Sequence, residues 1–182
     1  MKAFLRDIVL IVVAAIVISF LLQTVIEKSV INGCCMEPGL QDEQLFLINK
    51  AVYHFFEPER GDIIVFRPPN NQESSPFIKR IIALPGDIVE VKKRAVYVNG
   101  SKLDEPYIKE LPKYVLARRK IPENNYFVLG DNRNNANDSH NGWTVPRQNI
   151  IGKAWLSVWP PGRWGLIAHY PLQEQLAISL SE

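Results

Sequence analysis

The chain has 182 residues, of which 22% are charged, and its formal net charge is only +2. This length suits one domain with its own hydrophobic core, or one domain with a modest inserted subdomain. The small net charge provides no concentrated basic face, so we expect no nucleic acid partner. The two cysteines are adjacent and the three histidines lack metal-ligand spacing, so we expect neither a metal nor a cofactor.

The first predicted element is a long apolar run over residues 8–26, broken only by Ser19, Gln23 and Thr24. A helix needs about 20 such residues to cross the hydrocarbon core of a membrane. The run ends in polar residues rather than in the small residues of a signal-peptide cleavage site. We therefore predict an uncleaved transmembrane anchor over residues 8–26.

The charges around this run indicate its orientation. Lys2 and Arg6 precede it, which places residues 1–7 in the cytoplasm by the positive-inside tendency. Residues 27–182 then form a domain outside the cytoplasm. We expect a single-pass protein of a cell membrane, either plasma or thylakoid, with membrane lipid as a partner.

Beyond the anchor, short apolar segments alternate with Gly-Asp and Asn-Gly turns, a pattern typical of antiparallel β structure. It predicts strands over residues 45–48, 63–67, 77–84, 88–91, 95–98, 126–129 and 151–158. A polar stretch with weak periodicity suggests a small inserted subdomain around residues 99–122. The predicted fold class is mainly β, an antiparallel β-sheet catalytic domain preceded by one N-terminal transmembrane helix.

Three segments carry candidate chemistry, and the middle one contains two neighbouring cations. In residues 77–82, strand alternation puts Lys79 and Arg80 on opposite faces, both of them apolar. One interpretation is that both side chains reach water from an edge strand. The other is that Lys79 is desolvated, which disfavours its charged form and suits a general base. Arg80 would then need a carboxylate partner.

The other two segments are residues 33–40, which contain both cysteines, and residues 130–140, a dense polar run after an apolar strand. The polar run is either a solvated loop or a buried scaffold. In a buried scaffold, two carboxylates, Asp131 and Asp138, are available to neutralise two cations, Arg80 and Arg133.

In order and spacing, these segments resemble the sequence boxes of bacterial type I signal peptidases, which use a serine/lysine dyad. Residues 35–40, Cys-Met-Glu-Pro-Gly-Leu, match the box Ser-Met-x-Pro that carries the nucleophile. Residues 79–87 match the lysine box that ends in Pro-Gly-Asp, and residues 130–143 match the Gly-Asp-Asn-Arg box. The resemblance implies Cys35 as the nucleophile and Lys79 as the general base.

The resemblance also implies an activity. It predicts a membrane-bound endopeptidase that removes signal peptides from exported preproteins after small residues at positions −1 and −3, without metal or cofactor. Cys35 attacks the scissile carbonyl while Lys79 takes the proton. The oxyanion is expected to receive hydrogen bonds from the backbone N–H groups of Cys35 and Gly33.

Two residues depart from the family pattern. Cys35 stands where the family has serine, and Ala136 stands where many members have a serine whose hydroxyl orients the lysine. Because the reference pKa of a cysteine thiol, about 8.5, lies below that of a lysine, about 10.4, a proton shared by the pair is expected on the amine, which gives thiolate and ammonium. The alternatives are a slow enzyme, or an impaired relative that binds signal sequences without efficient cleavage. A self-cleaving, repressor-like peptidase is disfavoured by the predicted anchor.

Cys34 and the tryptophans have interpretations of their own. Residues 31–34 loosely resemble a lipoprotein box, and a disulfide between Cys34 and Cys35 would mask the nucleophile. Trp155 is predicted to lie in the core. Trp159 and Trp164 are either core and turn residues or part of a membrane-contacting apolar surface.

Overall fold

The structure is a computed structural model that describes residues 2–69, 75–168, 170, 172 and 175. The N-terminal run forms one helix, α1 (Lys2–Val25), and its large apolar side chains from Phe4 to Val17 that are described are exposed. Among the described residues, however, no helix combines the length and apolar character needed to cross a membrane. The transmembrane anchor predicted over residues 8–26 is therefore not confirmed.

The rest of the described chain is built mainly from twelve strands. They are β1 (Ile26–Val30), β2 (Leu45–Asn49), β3 (Ile63–Phe66), β4 (Phe77–Ala83), β5 (Ile88–Lys92), β6 (Ala95–Val98), β7 (Ser101–Lys102), β8 (Leu116–Lys120), β9 (Asn125–Leu129), β10 (Val145–Pro146), β11 (Ile150–Trp159) and β12 (Gly165–Leu166). A short helix, α2 (Val52–Phe55), follows β2. All pairings are antiparallel. The mainly β, antiparallel fold class is confirmed.

Among the described residues, eight strands form the larger sheet, in the order β1-β2-β11-β3-β4-β9-β10 with β12 paired to β11. The central strands β3 and β9 are nearly continuous apolar runs because both of their faces are covered. β4 lies between them, with Lys79 opposite Ile64 and Arg80 opposite Ile63. Both cations therefore lie in the middle of the sheet, which excludes the edge-strand interpretation.

The smaller sheet has the order β7-β6-β5-β8 within the described chain. It contains the two strands that fall in the predicted subdomain at 99–122, but it begins earlier, at Ile88. Its inward valines pack with β9 residues in one shared core, whose fully buried members include Val89, Val91, Val96, Val98, Phe127 and Leu129. This shared core fixes the end of β9, and with it the polar segment that follows.

Candidate active site

The segment that carries both cysteines is a turn anchored by apolar side chains. Met36 and Leu40 are buried in a core cluster with Phe46 and Ile48 of β2. Within the turn, the N–H of Leu40 donates to the carbonyl of Met36 at 2.9 Å. Because Met36 is held in the core, its neighbour Cys35 lies half-buried against the same cluster.

The structure brings Cys35 and Lys79 into contact. Lys79 Nζ donates to Cys35 Sγ at 3.0 Å and to the carbonyl oxygen of Ile78 at 2.9 Å. The Cys35 thiol lies 3.7 Å from that same carbonyl. Lys79 is only 3% exposed, and its Nζ lies 5.3 Å from the centre of the Phe77 ring. The two residues that the sequence suggested for the dyad are therefore adjacent, with one carbonyl and one aromatic ring around the amine.

Arg80, on the other face of β4, is held by a carboxylate, a carbonyl and an aromatic ring. Its Nε and Nη2 bind the two carboxylate oxygens of Asp131 at 2.9 and 2.8 Å, and Nη1 donates to the carbonyl of Gly61 at 2.9 Å. The Tyr107 ring stacks 4.2 Å from the guanidinium carbon. Burial raises the pKa of Asp131, and the contact with Arg80 opposes that rise. The predicted pairing of Arg80 with Asp131 is confirmed.

The carboxylate that binds Arg133 is neither Asp131 nor Asp138, the two that the sequence offered, but Glu105. The Arg133 guanidinium binds both carboxylate oxygens of Glu105, at 2.8 and 2.6 Å. Asp138 instead lies 2.6 Å from Nδ1 of His140 and accepts the N–H of Gly130 at 2.9 Å. Tertiary packing explains this pairing, since the loop that carries Glu105 comes from another part of the chain and lies against Arg133.

The polar segment is a buried scaffold that holds the cysteine turn in place through hydrogen bonds and a close backbone contact. Asn132 donates its backbone N–H to the carbonyl of Cys35 at 3.0 Å and its side-chain amide to the carbonyl of Cys34 at 3.1 Å. A Cβ at Gly130 would lie 2.6 Å from the Cys35 carbonyl oxygen and 2.6 Å from the Ala136 Cβ. Because only glycine fits this close approach, Gly130 lets the scaffold pack directly against the backbone of the cysteine turn.

One expected oxyanion donor is already in use. The backbone N–H of Gly33 donates to Oδ1 of Asp42 at 2.6 Å. A backbone amide has a single hydrogen, so this contact contradicts the expectation that Gly33 donates to the oxyanion. The backbone N–H of Cys35 stays the predicted donor.

A cavity of about 290 Å³ opens beside the Cys35–Lys79 pair. It lies between the chain leaving β1 and the chain entering β4. Its apolar lining residues are Val30, Ile31, Phe46, Val65, Pro76, Phe77 and Ile78, and its polar ones are Ser29, Asn32, Ser75 and Asn137, together with Cys35 and Lys79. The mainly apolar wall can accept small side chains of an extended peptide next to the thiol.

A larger cavity of about 410 Å³ lies on the Arg80 side of β4. Among the described residues, its lining includes Arg80 and Asp131 but neither Cys35 nor Lys79. Because Arg80 and Asp131 pair with each other, this cavity presents a satisfied ion pair rather than a nucleophile and a base. The smaller cavity is therefore the one that suits a reaction.

Cys34 faces a different neighbour from Cys35. Its Sγ accepts a hydrogen bond from the side-chain amide of Asn135 at 3.0 Å, and both cysteines are free thiols.

The exposure of Trp155 differs from the sequence prediction. Trp155 is 41% exposed on β11, so its assignment to the core is wrong because its side chain lies on the outer face of the sheet.

Sequence reasoning missed the groups around the dyad that carry no motif signal. The carbonyl of Ile78 is backbone, and Asp42 lies in an ordinary turn. Asn132 was within the polar segment, but its contact with both cysteine carbonyls depends on tertiary packing. No local pattern identifies such contacts.

The comparisons with known proteins agree on one family. The family model described as signal peptidase, peptidase S26, matches residues 4–159. "Probable signal peptidase I-2" of Synechocystis sp. is 42% identical over 172 residues, covering 92% of this chain and 79% of the relative. "Probable signal peptidase I-1" of the same organism is 41% identical over 174 residues, covering 92% and 89%. "Signal peptidase I" of Leptolyngbya laminosa is 43% identical over 153 residues, covering 81% and 75%. The chain belongs to the peptidase S26 family of signal peptidases and is a signal peptidase I-type endopeptidase.

Proposed function

We propose that this endopeptidase removes signal peptides from exported preproteins after small residues at positions −1 and −3, with Cys35 as nucleophile and Lys79 as the proton-transfer group. The observation that carries the proposal is the 3.0 Å separation of Lys79 Nζ and Cys35 Sγ at the wall of the 290 Å³ cavity. A nucleophile and a base within hydrogen-bond reach are the minimum that acyl transfer requires.

The two groups are sufficient for a balanced reaction. The Cys35 thiolate attacks the scissile carbonyl, and the backbone N–H of Cys35 donates to the oxyanion that forms. Collapse of this intermediate breaks the peptide bond, and the Lys79 ammonium gives its proton to the departing amine. The neutral Lys79 then takes a proton from water, and the resulting hydroxide hydrolyses the thioester. Thiolate and ammonium are restored, so the cycle closes.

The cavity supports a preference for small residues. In an extended peptide, alternate side chains point to the same side, so the residues at −1 and −3 face one wall while the residue at −2 points away. The wall here includes the bulky apolar side chains of Phe46, Phe77 and Ile78, which suit small apolar side chains as neighbours. Large residues at −1 or −3 would collide with this wall.

The test is a single incubation of the purified full chain with a preprotein that has alanine at −1 and −3. We expect a shorter product whose first residue is the one after −1, identified by N-terminal sequencing. A matched preprotein with phenylalanine at −1 should remain intact. Release of the same product by a Lys79→Ala variant at a rate near that of the unsubstituted chain, or no product from any preprotein, would overturn the proposal.

We also propose that α1 attaches the chain to a plasma or thylakoid membrane, with its N-terminus in the cytoplasm and the β domain outside. Its large apolar side chains are exposed, and Trp159 and Trp164 add an exposed apolar surface on the β domain. The positions of Lys2 and Arg6 support the orientation. Alkaline extraction should leave the chain in the membrane, and protease added outside spheroplasts should digest the β domain. Protection until lysis would contradict the orientation.

A further inference from the structure

We propose that Cys34 is a resolving cysteine: a hydroperoxide oxidises Cys35, and Cys34 then closes a reversible disulfide with it. The formation of this disulfide is independent of the proposed function, while its effect on cleavage depends on the assignment of Cys35 as nucleophile. The proposal rests on the surroundings of the two thiols, on the geometry of neighbouring residues and on the access that the cavity provides.

The surroundings of Cys35 favour oxidation. Its sulfur lines the 290 Å³ cavity, which is wide enough for a small peroxide, and Lys79 Nζ lies 3.0 Å away. The thiolate is the form of cysteine that peroxides oxidise, and an adjacent ammonium can pair with its charge. Accessible thiolates beside cations are the usual sites of sulfenic acid formation.

Cys34 is placed to react next. It is also partly exposed, and its sulfur accepts a hydrogen bond from Asn135 at 3.0 Å. A partly exposed thiol that directly precedes Cys35 in the chain is therefore available to attack its sulfenic sulfur.

The redox chemistry balances with a hydroperoxide as the only oxidant. The Cys35 thiolate attacks a peroxide oxygen, the O–O bond breaks, and Cys35 sulfenic acid and hydroxide form. Cys34 then attacks the sulfenic sulfur, the S–S bond forms, and the sulfenic oxygen leaves as water after taking a proton. In total, two thiols and one hydrogen peroxide give one disulfide and two waters. An added dithiol reverses the change.

The geometry predicts that this disulfide is easily reduced. Adjacent Cα atoms are about 3.8 Å apart across a trans peptide. Disulfides usually join Cα atoms about 4.4–6.8 Å apart, and departures store strain that makes the bond more reducible. Asn132 also holds the carbonyls of Cys34 and Cys35, so closing the ring strains against these contacts. A strained disulfide suits a switch that ordinary dithiols can reset.

Closing the ring would disable the dyad. The sulfur of Cys35 now contacts Lys79, whereas that of Cys34 contacts Asn135. Joining the two sulfurs removes the nucleophilic lone pair of Cys35 from the reaction and breaks at least one of these contacts. Oxidation should therefore stop cleavage, and reduction should restore it. Cys34 also protects the enzyme, because it intercepts the sulfenic acid before further oxidation becomes irreversible.

The experiment treats the full chain in detergent with hydrogen peroxide, blocks the remaining thiols with an alkylating reagent, and measures the mass of the tryptic peptide over residues 29–50, which contains both cysteines. We expect a peptide lighter by two hydrogens, without the alkyl groups. Cleavage of a preprotein, measured in parallel, should be lost and should return after treatment with dithiothreitol.

The matched control is Cys34→Ser. It should cleave normally before oxidation, gain two or three oxygens on Cys35 after peroxide, and stay inactive after dithiothreitol. The proposal is overturned if the wild-type peptide gains oxygens instead of losing hydrogens, or if Cys34→Ser recovers as fully as the wild type. If the untreated wild type does not cleave at all, the proposed function fails, and the peptide mass alone still decides whether the disulfide forms.

Discussion

The two faces of β4 carry neighbouring cations in contrasting surroundings. Lys79 and Arg80 are both nearly completely buried, at 3% and 2% exposure. Arg80 binds a bidentate carboxylate and a carbonyl and lies against an aromatic ring, which suits a structural role. Lys79 contacts a thiol and one carbonyl at the wall of a cavity. Burial alone therefore does not separate the two cations, whereas the presence of a carboxylate partner does, and we propose that the cation without one in the described part of the chain is the reactive group.

The chemistry of the two side chains agrees with this division. A guanidinium stays charged at any working pH and binds a carboxylate in a planar fork, which suits a fixed structural role. A lysine can lose its proton, so of the two side chains only that of Lys79 suits the proposed cycle between ammonium and amine. Substitution of Lys79 should therefore lower activity, and substitution of Arg80 should lower stability.

The largest expected effect is that of Lys79→Ala. Loss of the proton-transfer group should lower kcat/KM by about 10²–10⁴, the range that general acid–base groups contribute. The thermal midpoint of the purified chain should change little, because Lys79 has no carboxylate partner among its described contacts. Lys79→Met, which keeps the length of the side chain, is the control for packing. Near-normal cleavage by both variants would remove the dyad mechanism.

Arg80→Ala should act on stability instead. It leaves the buried Asp131 carboxylate without its cation, and removing one partner of a buried ion pair costs about 3–5 kcal/mol. Thermal denaturation of the detergent-solubilised chain measures the loss. Arg80→Lys, which keeps the charge but not the bidentate fork, should lose less. An Arg80→Ala protein that keeps its stability but loses cleavage would contradict the assignment of a structural role to Arg80.

Gly130→Ala tests how tightly the polar scaffold is pressed against the cysteine turn. The new Cβ would lie 2.6 Å from the carbonyl oxygen of Cys35, so the turn has to shift. Overpacking of this kind costs about 1–3 kcal/mol. We expect a fall in kcat that exceeds the fall in stability, because the shift moves the nucleophile. Gly162→Ala, where a Cβ meets no atom within 4 Å, is the matched control.

The smallest expected effect is a gain. Ala136→Ser adds a hydroxyl to the scaffold at the position where the family resemblance implies a serine that orients the lysine, and one neutral hydrogen bond contributes about 0.5–1.5 kcal/mol. We expect kcat to rise by up to about tenfold. The double variant Cys35→Ser with Ala136→Ser should exceed Cys35→Ser alone. If Ala136→Ser raises kcat neither in the unsubstituted chain nor in the Cys35→Ser variant, the missing hydroxyl at position 136 does not limit proton transfer by Lys79.

Most of the sheet was predictable because its strands differ sharply in composition from their turns. Each predicted strand is present, since runs such as Ile63–Phe66 are buried on both faces. β8 (Leu116–Lys120) was missed because it contains one leucine among basic residues, which gives no apolar alternation. β1 (Ile26–Val30) was missed because its start merges with the apolar run before it.

The sequence predicted those site residues whose type is unusual for their position in a strand. It did not predict contacts made by residue types that are common in turns and loops. A Lys-Arg pair inside an apolar strand attracted attention to Lys79, and the resemblance to a known family added Cys35. The partner of Arg133 could not be inferred, because Glu105 belongs to a loop of the second sheet. The contact of Gly33 with Asp42 was equally hidden, since many turns contain both residue types.

The central claim is that the sulfur of Cys35 is the attacking atom, and alkylation tests it most directly. The full chain is titrated with iodoacetamide while preprotein cleavage and the alkylation of each cysteine, identified by tandem mass spectrometry, are measured on the same samples. We predict that cleavage falls in proportion to alkylation of Cys35, that bound preprotein slows both, and that Cys34→Ser behaves in the same way. Cleavage that persists when Cys35 is fully alkylated, or that is undiminished in Cys35→Ala, would contradict the account.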